Sequence, residues 1–277
     1  MIRIVTDSSS DVPHELAGEH AVAVVPLTIR FGDEEFVDRQ DLTTASFWER
    51  LVLADHLPET AAPSAGLFEE TYRSLISEGA TGIVVITISS ELSGTYQSAV
   101  IAAERTNGEI PIRVIDSRSV GMGLGLPVLE AATLAGQGAS LDEVADYAAR
   151  STASTSVVAA LDTLEYLKRG GRVGSTQAFF GGLLNIKPLI TLTDGVVAPL
   201  GRVRTRSKAI GALEERAAAI GPAIKAAAVF HGAAADIDLV VERIQQHLEV
   251  PVVVSMLGPV VGTHTGPGTV GIAYLTA

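Results

Sequence analysis

The sequence contains no cysteine, which excludes disulfides and thiolate metal sites. A chain without disulfides suits a reducing compartment, and we expect a cytoplasmic protein. No run of about 18 uncharged apolar residues occurs, and Asp7 interrupts the stretch where a signal peptide would be apolar. The sequence therefore predicts neither a stable membrane insertion nor a secretory leader.

Aromatic residues are scarce at 5%, although hydrophobic residues make up 47% of the 277 positions. The core must therefore consist mainly of valine, isoleucine, leucine and alanine. Charged residues amount to only 19%, which argues against long disordered stretches. The net charge of −12 opposes binding to nucleic acid phosphates, so we expect no nucleic acid partner.

Apolar β-branched runs alternate with helical patterns along the chain, and this alternation predicts an α/β sheet with parallel portions. The predicted strands are 2–5, 83–88, 112–115, 157–161, 227–230, 250–255 and 269–275. Helices are predicted after Pro13, after Ser64 up to Gly79, and over about 94–106, 123–137 and 141–153. The polar stretch STASTS follows, and then hairpin signals such as TDGVVAPLG, so we place a domain boundary near residue 155.

The usual catalytic signatures are missing from the sequence. It contains no GxxxxGK[ST] phosphate loop, no HExxH and no GxSxG, and Gly121-x-Gly123-x-Gly125 lacks the dinucleotide-binding spacing. We interpret this glycine string as a site of close helix packing. In TDSSSD, Asp7 and Asp11 are compatible with a phosphotransfer loop, but the same residue types are ordinary helix caps.

The segment SSELSG after the strand at 83–88 is more informative. It puts the Ser93 hydroxyl and the Gly94 amide at a helix N-terminus, where unpaired N–H groups favour an anion. In open α/β sheets, ligands collect at the carboxyl ends of strands. Either Ser93 binds a carboxylate or it merely caps the helix, and the segment alone favours neither reading.

The segment GTHTGPGT places His264 in a predicted loop just before the last strand. Its glycines let backbone approach a ligand, and His264 can donate a hydrogen bond to an anion. The alternative is a solvated loop histidine.

Two basic stretches, 167–174 and 201–208, hold seven of the 20 lysines and arginines of this acidic chain. Such concentration indicates a site for phosphate or for an acidic partner surface. The alternative is ordinary solvated charge in loops and at strand edges.

Taken together, these segments resemble the DegV family over essentially the whole chain. The matching segments are TDSSSD at 6–11, TAAPS at 60–64, SSELSGTYQSA at 89–99, VIDS at 114–117, LDTLEYLKRGGRVG at 161–174, NIKPLI at 185–190, RVRTR at 202–206 and GTHTGPGTVG at 262–271. The fifth and the last, in that order, are the most specific.

The resemblance implies a two-domain α/β fold. A three-layer α/β/α domain with a mainly parallel sheet would span 1–155, and an α/β domain with a mixed sheet would span 156–277. A long-chain fatty acid would lie between them. Such proteins are similar to carrier subunits of bacterial fatty acid kinase, in which a separate ATP-dependent subunit phosphorylates the carboxylate for phospholipid synthesis. We therefore expect a non-catalytic carrier with no cofactor and no metal.

Position by position, the resemblance assigns carboxylate binding to Thr60, Ser93, Gly94 and His264. It assigns kinase interaction or support of phosphotransfer to a set of arginines, namely Arg172, Arg202, Arg204 and Arg206. This chain has Ala61 and Ala62 where the family usually has Ser and Gln, so two polar groups are absent beside the carboxylate site.

The apolar tunnel that would hold the fatty acid chain has candidate walls around Phe179-Phe180 and Leu183-Leu184, although the spacing of these residues fits core packing equally well.

The alternative function is a metal-dependent phosphoryl-transfer or hydrolase enzyme that uses Asp7, Asp11 or His264.

Overall fold

The computed structural model describes residues 1–106, 108–174 and 186–276. The strands in these ranges are β1 Ile2–Asp7, β2 Val22–Val25, β3 Thr28–Phe31, β4 Glu34–Val37, β5 Glu59–Ala61, β6 Gly82–Thr87, β7 Ile112–Asp116, β8 Thr155–Ala160, β9 Lys187–Thr193, β10 Val196–Val203, β11 Ile224–His231, β12 Val252–Met256 and β13 Val270–Thr276. The helices are α1 His14–Glu19, α2 Thr44–Leu53, α3 Ala65–Ser77, α4 Thr95–Arg105, α5 Met122–Gly136, α6 Leu141–Ala153, α7 Glu165–Arg169, α8 Arg206–Ile220, α9 Ile237–Gln245 and α10 Pro259–Thr265. We call residues 1–154 the N-terminal half and 155–276 the C-terminal half.

The N-terminal half is built on a four-stranded parallel sheet in the order β2-β1-β6-β7. Successive side chains of a strand point to opposite faces, so one face of β1 and β6 carries Val5, Ile83 and Val85. That face packs on α3 and α4, whereas the opposite face packs on α5 and α6. The predicted three-layer α/β/α arrangement is confirmed.

A small antiparallel sheet in the order β4-β3-β5 lies in the same half. The sequence did not predict it, because its strands are only three or four residues long and carry little periodicity. Its importance is local: β5 pairs with β3 and thereby fixes Thr60 opposite Ile29.

The C-terminal half is built on a six-stranded mixed sheet in the order β10-β9-β8-β13-β11-β12. Among the described strands of this sheet, β11 and β12 pair in parallel, and the other neighbours are antiparallel, including the predicted hairpin β9–β10. One face of the sheet packs on α8 and α9. The other face, with Val157, Ala159 and Phe230, contributes to the core that also contains α5.

Helix α5 contacts both sheets, and its glycines explain how it comes so close to them. A Cβ atom at Gly123 would overlap the Val157 side chain, and one at Gly125 would lie 2.7 Å from the Ser10 carbonyl oxygen. The interpretation of this glycine string as a packing feature is confirmed. The domain boundary near residue 155 remains a prediction, and all strands of the mixed sheet begin at or after that point.

The sequence placed His264 in a loop, and this prediction was wrong. His264 lies in the last turn of α10, which begins with Pro259 and ends at Gly266, whose φ is +76°. The prediction failed because clustered glycines usually indicate a loop, whereas Gly262 lies within a helix and allows close packing. A Cβ at Gly262 would lie 2.6 Å from Cε1 of Phe47 and 2.8 Å from the Trp48 ring.

Across the described ranges, the helices are too short or too polar for a bilayer crossing.

Candidate functional site

A largely apolar cavity opens between the two halves of the chain, with an empty volume of about 1040 Å³ including its open mouth. The N-terminal half contributes apolar walls from Leu27, Ile88, Leu92 and Val120. The C-terminal half contributes Val157, Ala159, Leu167, Ile190, Leu192, Val197, Phe230, Leu257, Val260 and Val261. Among the described residues, the polar side chains in the lining are Thr60, Ser93, Arg172, Thr191, His264 and Thr265. All four residues assigned to carboxylate binding thus line one cavity.

Thr60 and His264 are in direct contact at this cavity. The Oγ1 atom of Thr60 lies 3.1 Å from Nε2 of His264, and Nδ1 of His264 is buried without a hydrogen-bond partner among the described residues. Burial, assisted by the positive charge of Arg172, lowers the pKa of His264 to about 4. The imidazole is therefore neutral at pH 7 and carries one ring proton.

Ser93 takes part in the turn that begins α4. Its Oγ lies 2.8 Å from Oγ1 of Thr95 and accepts a weak bond from the Thr95 amide at 3.4 Å. The loop before it is held by Ser89, whose hydroxyl donates to the Gly195 carbonyl of the C-terminal half at 2.7 Å. Ser93 lines the cavity and lies one residue before the N-cap of α4, where its bond from the helix backbone is the weak one from the Thr95 amide. Its assignment to carboxylate binding stays a prediction.

Gly94 is the N-cap of α4 and has an ordinary negative φ of −71°. A Cβ atom at this position would meet no other atom of the described protein within 4 Å. The protein's own packing and backbone therefore do not require a glycine here. Gly94 itself is one of the residues that line the cavity.

Arg172 connects two edges of the cavity. Its Nη1 donates to the Gly170 carbonyl at 2.8 Å, and its Nε donates to the Leu92 carbonyl at 3.3 Å. Leu92 directly precedes Ser93, so Arg172 ties the segment 170–172 to the loop that carries Ser93. The side chain is exposed while it lines the cavity.

The other three assigned arginines are not part of the cavity lining. Arg206 forms a two-pronged ion pair with Asp236, at 2.9 and 2.7 Å, and also donates to the Gly268 carbonyl. Arg202 and Arg204 are exposed. The kinase role of these residues stays a prediction. Arg206 is engaged in an ion pair within the protein, whereas the side chains of Arg202 and Arg204 are exposed.

The alanines of the TAAPS segment differ in position. Both alanines are exposed, but Ala62 lines the cavity and Ala61 does not. Only one of the two replaced polar positions therefore borders the cavity. The predicted tunnel walls at Phe179-Phe180 and Leu183-Leu184 lie outside the described residues.

Asp7 and Asp11 are used within the fold. Asp7 accepts from the Ile88 amide at 2.8 Å, and Asp11 accepts from the Gly258 amide at 2.9 Å across the two halves. Burial raises the pKa of both carboxyls, to about 8 for Asp11, despite the nearby charge of Arg39. Neither residue lines the cavity that contains His264. Within the described ranges, no group of three or more acidic or histidine side chains is arranged to hold a metal ion.

The sequence did not identify the aliphatic walls of the cavity. On β8, the alternation is visible in the sequence: Val157 and Ala159 face the cavity, and Val158 and Ala160 face the core on the other side. Periodicity marks both faces as buried, and it does not distinguish a packed face from one that borders an empty space.

Comparison with known proteins places these features in a family. The model of the family described as "Uncharacterised protein, DegV family" matches residues 1–277. A DegV domain-containing protein of Streptomyces coelicolor is 40% identical over 275 residues, which cover 98% of this chain and 97% of the relative.

Solved structures share the fold over the whole length. A Thermus thermophilus structure, described as fatty acid binding of a DegV family protein, has a TM-score of 0.92 at 34% identity and covers 100% of this chain and 99% of its own. The structure of DegV of Bacillus subtilis, described as a fatty acid binding protein, has a TM-score of 0.86 at 30% identity with coverage of 100% and 99%. The sequence segments, the fold and these full-length matches lead to one conclusion: the chain belongs to the DegV family.

Proposed function

We propose that this protein binds one long-chain fatty acid in the cavity and presents its carboxylate to a separate ATP-dependent fatty acid kinase. The observation that carries the proposal is the lining itself. Aliphatic side chains form most of the described wall. Its polar groups include the hydroxyls of Thr60 and Ser93 and the imidazole of His264, which the family resemblance assigns to carboxylate binding. Two family members with solved structures are described as fatty acid binding, which supports the same ligand class.

The apolar wall accounts for affinity. Burial of about 15 methylenes contributes roughly 12 kcal/mol, at about 0.8 kcal/mol each, before the costs of association and ordering are subtracted. The carboxylate opposes this gain, because a buried anion without hydrogen bonds costs several kcal/mol. Donors are therefore required at the end of the cavity that receives the head group.

The donors would be neutral groups. Thr60 and Ser93 supply hydroxyls, and Gly94, the N-cap of α4, lines the cavity and would offer the helix N-terminus to the anion. His264 is neutral at pH 7 because burial lowers its pKa to about 4. In this arrangement the negative charge is held by hydrogen bonds from neutral donors, so the carboxylate stays ionised and available to a phosphoryl donor.

Presentation to a kinase is the finer part of the proposal. Arg172 is exposed at the cavity rim, and Arg202 and Arg204 are exposed on the same half of the chain. Guanidinium groups suit both an acidic partner surface and a developing acyl phosphate. In this account the protein performs no chemistry alone, and the kinase supplies ATP and catalysis.

The test of ligand binding is a lipid analysis of the intact protein. We would purify the chain from a bacterial host without added lipid, denature it, extract it and analyse the extract by mass spectrometry. The proposal predicts close to one long-chain fatty acid per chain. Recovery of no lipid, together with no uptake of added palmitate or oleate, would overturn it.

A further inference from the structure

Gly170 lies directly against the imidazole of His264. A Cβ atom at this position would overlap Nδ1 of His264 and lie 2.9 Å from its Cε1. Gly170 ends α7 with φ −73° and ψ −6°, a conformation that any L-residue adopts. The backbone therefore does not call for glycine here, and the main obstacle to a side chain is the histidine ring.

Hydrogen bonds hold the backbone at Gly170 in place. Its amide donates to the Tyr166 carbonyl at 2.9 Å, and its carbonyl accepts from Nη1 of Arg172 at 2.8 Å. Close packing of α7 on α10 adds to this, because a Cβ at Gly266 would overlap the Tyr166 ring. The backbone against which the imidazole lies is therefore held by hydrogen bonds and by close packing.

The position of the His264 ring determines the hydrogen bonding of each ring nitrogen. Nδ1 faces Gly170, where it has no hydrogen-bond partner among the described residues, and Nε2 lies 3.1 Å from Thr60 Oγ1. An N–H group buried without an acceptor is costly, which favours the ring proton on Nε2. Nε2–H then donates to Thr60 Oγ1, and the Thr60 hydroxyl proton remains available for the cavity.

We propose that Gly170 is a positioning residue of the carboxylate site. Its missing side chain lets the His264 ring lie where Nε2 meets Thr60, and Thr60 in turn donates to the ligand. The functional part of this inference rests on the proposed fatty acid binding, whereas the contact between Gly170 and His264 can be tested without any ligand.

The binding test uses Gly170→Ala with Gly211→Ala as its matched control. Gly211 is a glycine of α8 at which a Cβ would meet no atom within 4 Å. We expect Gly170→Ala to weaken palmitate binding at least about tenfold, and Gly211→Ala to change it less than about twofold. In the His264→Ala background, where the ring is gone, Gly170→Ala should cause no further loss. A normal affinity in Gly170→Ala, or an equal loss in both backgrounds, would overturn the proposal.

The ligand-free test is ¹⁵N NMR of the histidine ring. Wild type should show a neutral His264 with its proton on Nε2, and Gly170→Ala should shift both ring nitrogens while Gly211→Ala leaves them unchanged. Unchanged shifts in Gly170→Ala would refute the contact even if fatty acid binds. If wild type binds no palmitate, the proposed function fails, and the ring shifts still decide the role of Gly170.

If Gly170→Ala fails to fold, the double variant Gly170→Ala/His264→Ala shows whether the His264 ring is the cause. If adding His264→Ala restores the melting temperature toward that of His264→Ala alone, the ring is the obstacle, as proposed. If the double variant stays unfolded, the contact with His264 does not explain the glycine.

Discussion

His264 and Thr60 approach to 3.1 Å, although 204 positions separate them in the chain. The contact joins the last turn of α10 in the C-terminal half to β5 in the N-terminal half. It places a hydroxyl, oriented by a neutral imidazole, on the wall of an otherwise apolar cavity.

Thr60→Val should weaken palmitate binding about tenfold or more, because a hydrogen bond to a charged group contributes about 1.5–3 kcal/mol. The matched control is Thr265→Val. Thr265 lines the same cavity, but its hydroxyl is bonded to the Val261 carbonyl of its own helix at 3.1 Å. Calorimetric titration of both variants checks this, and equal affinities would remove Thr60 from the carboxylate site.

Ser93→Ala separates the two readings of this serine. Ser93 precedes the N-cap residue Gly94, and its bond from the Thr95 amide is long at 3.4 Å, so its loss should change stability little. Ser140 supplies the control, since it caps α6 through the Glu143 amide at 3.4 Å and does not line the cavity. We expect Ser140→Ala to lose about 1 kcal/mol of unfolding free energy in denaturant titrations, and only Ser93→Ala to lose about tenfold in palmitate affinity. If Ser93→Ala binds palmitate normally, Ser93 is not part of the carboxylate site.

Arg172→Ala should greatly slow acyl phosphate formation while lipid occupancy stays near wild type, because the bound carboxylate has its own donors. Arg172→Lys should rescue poorly, since lysine keeps the charge but loses the planar fork. Arg113→Ala is the control, as Arg113 is exposed and paired with Asp142 at 3.0 Å. The assay pairs mass spectrometry of bound lipid with product yield from radiolabelled fatty acid, partner kinase and ATP. A normal yield in Arg172→Ala would refute its role, and a lost occupancy would assign Arg172 to binding.

Asp11 should make stability pH-dependent. Burial raises its pKa from 3.8 to about 8, so the folded protein holds a proton that the unfolded chain releases. The folded state then binds more protons between about pH 4 and pH 8, and the free energy of unfolding falls as the pH rises through this window.

Asp11→Asn should flatten this profile by up to about 1.4 kcal/mol per pH unit, because asparagine does not titrate and retains an acceptor for the Gly258 amide. Denaturant titrations at several pH values provide the comparison. Equal slopes in wild type and Asp11→Asn would show that Asp11 is ionised in the folded protein throughout the window.

The regular elements of the core could be predicted from the sequence because their signals are local. Seven strands, the hairpin β9–β10 and helices such as α3, whose start at Ser64 is confirmed by its bond from the Leu67 amide at 3.2 Å, followed from periodicity and caps. The helix that carries His264 did not, because its glycines fit against Phe47 and Trp48, which are distant in sequence.

The site residues came from resemblance and not from spacing. Nothing local to Thr60 indicates that it meets His264, since the contact depends on how α10 packs against β5 and α7. The role proposed for Gly170 could not be predicted from the sequence either, because a glycine after a helix is an ordinary helix-termination signal. Cavity walls could not be predicted because periodicity indicates burial and does not locate empty space.

A matched pair of alanines provides the most direct test of the central claim that this cavity holds the fatty acid. Both side chains are exposed, but only Ala62 borders the cavity, so a phenylalanine should obstruct the cavity at position 62 and not at position 61. We would titrate delipidated wild type, Ala62→Phe and Ala61→Phe with palmitate. The account predicts saturable one-to-one binding in wild type and Ala61→Phe, and at least about tenfold weaker binding in Ala62→Phe. Absence of binding in wild type, or equal binding in the two variants, would contradict it.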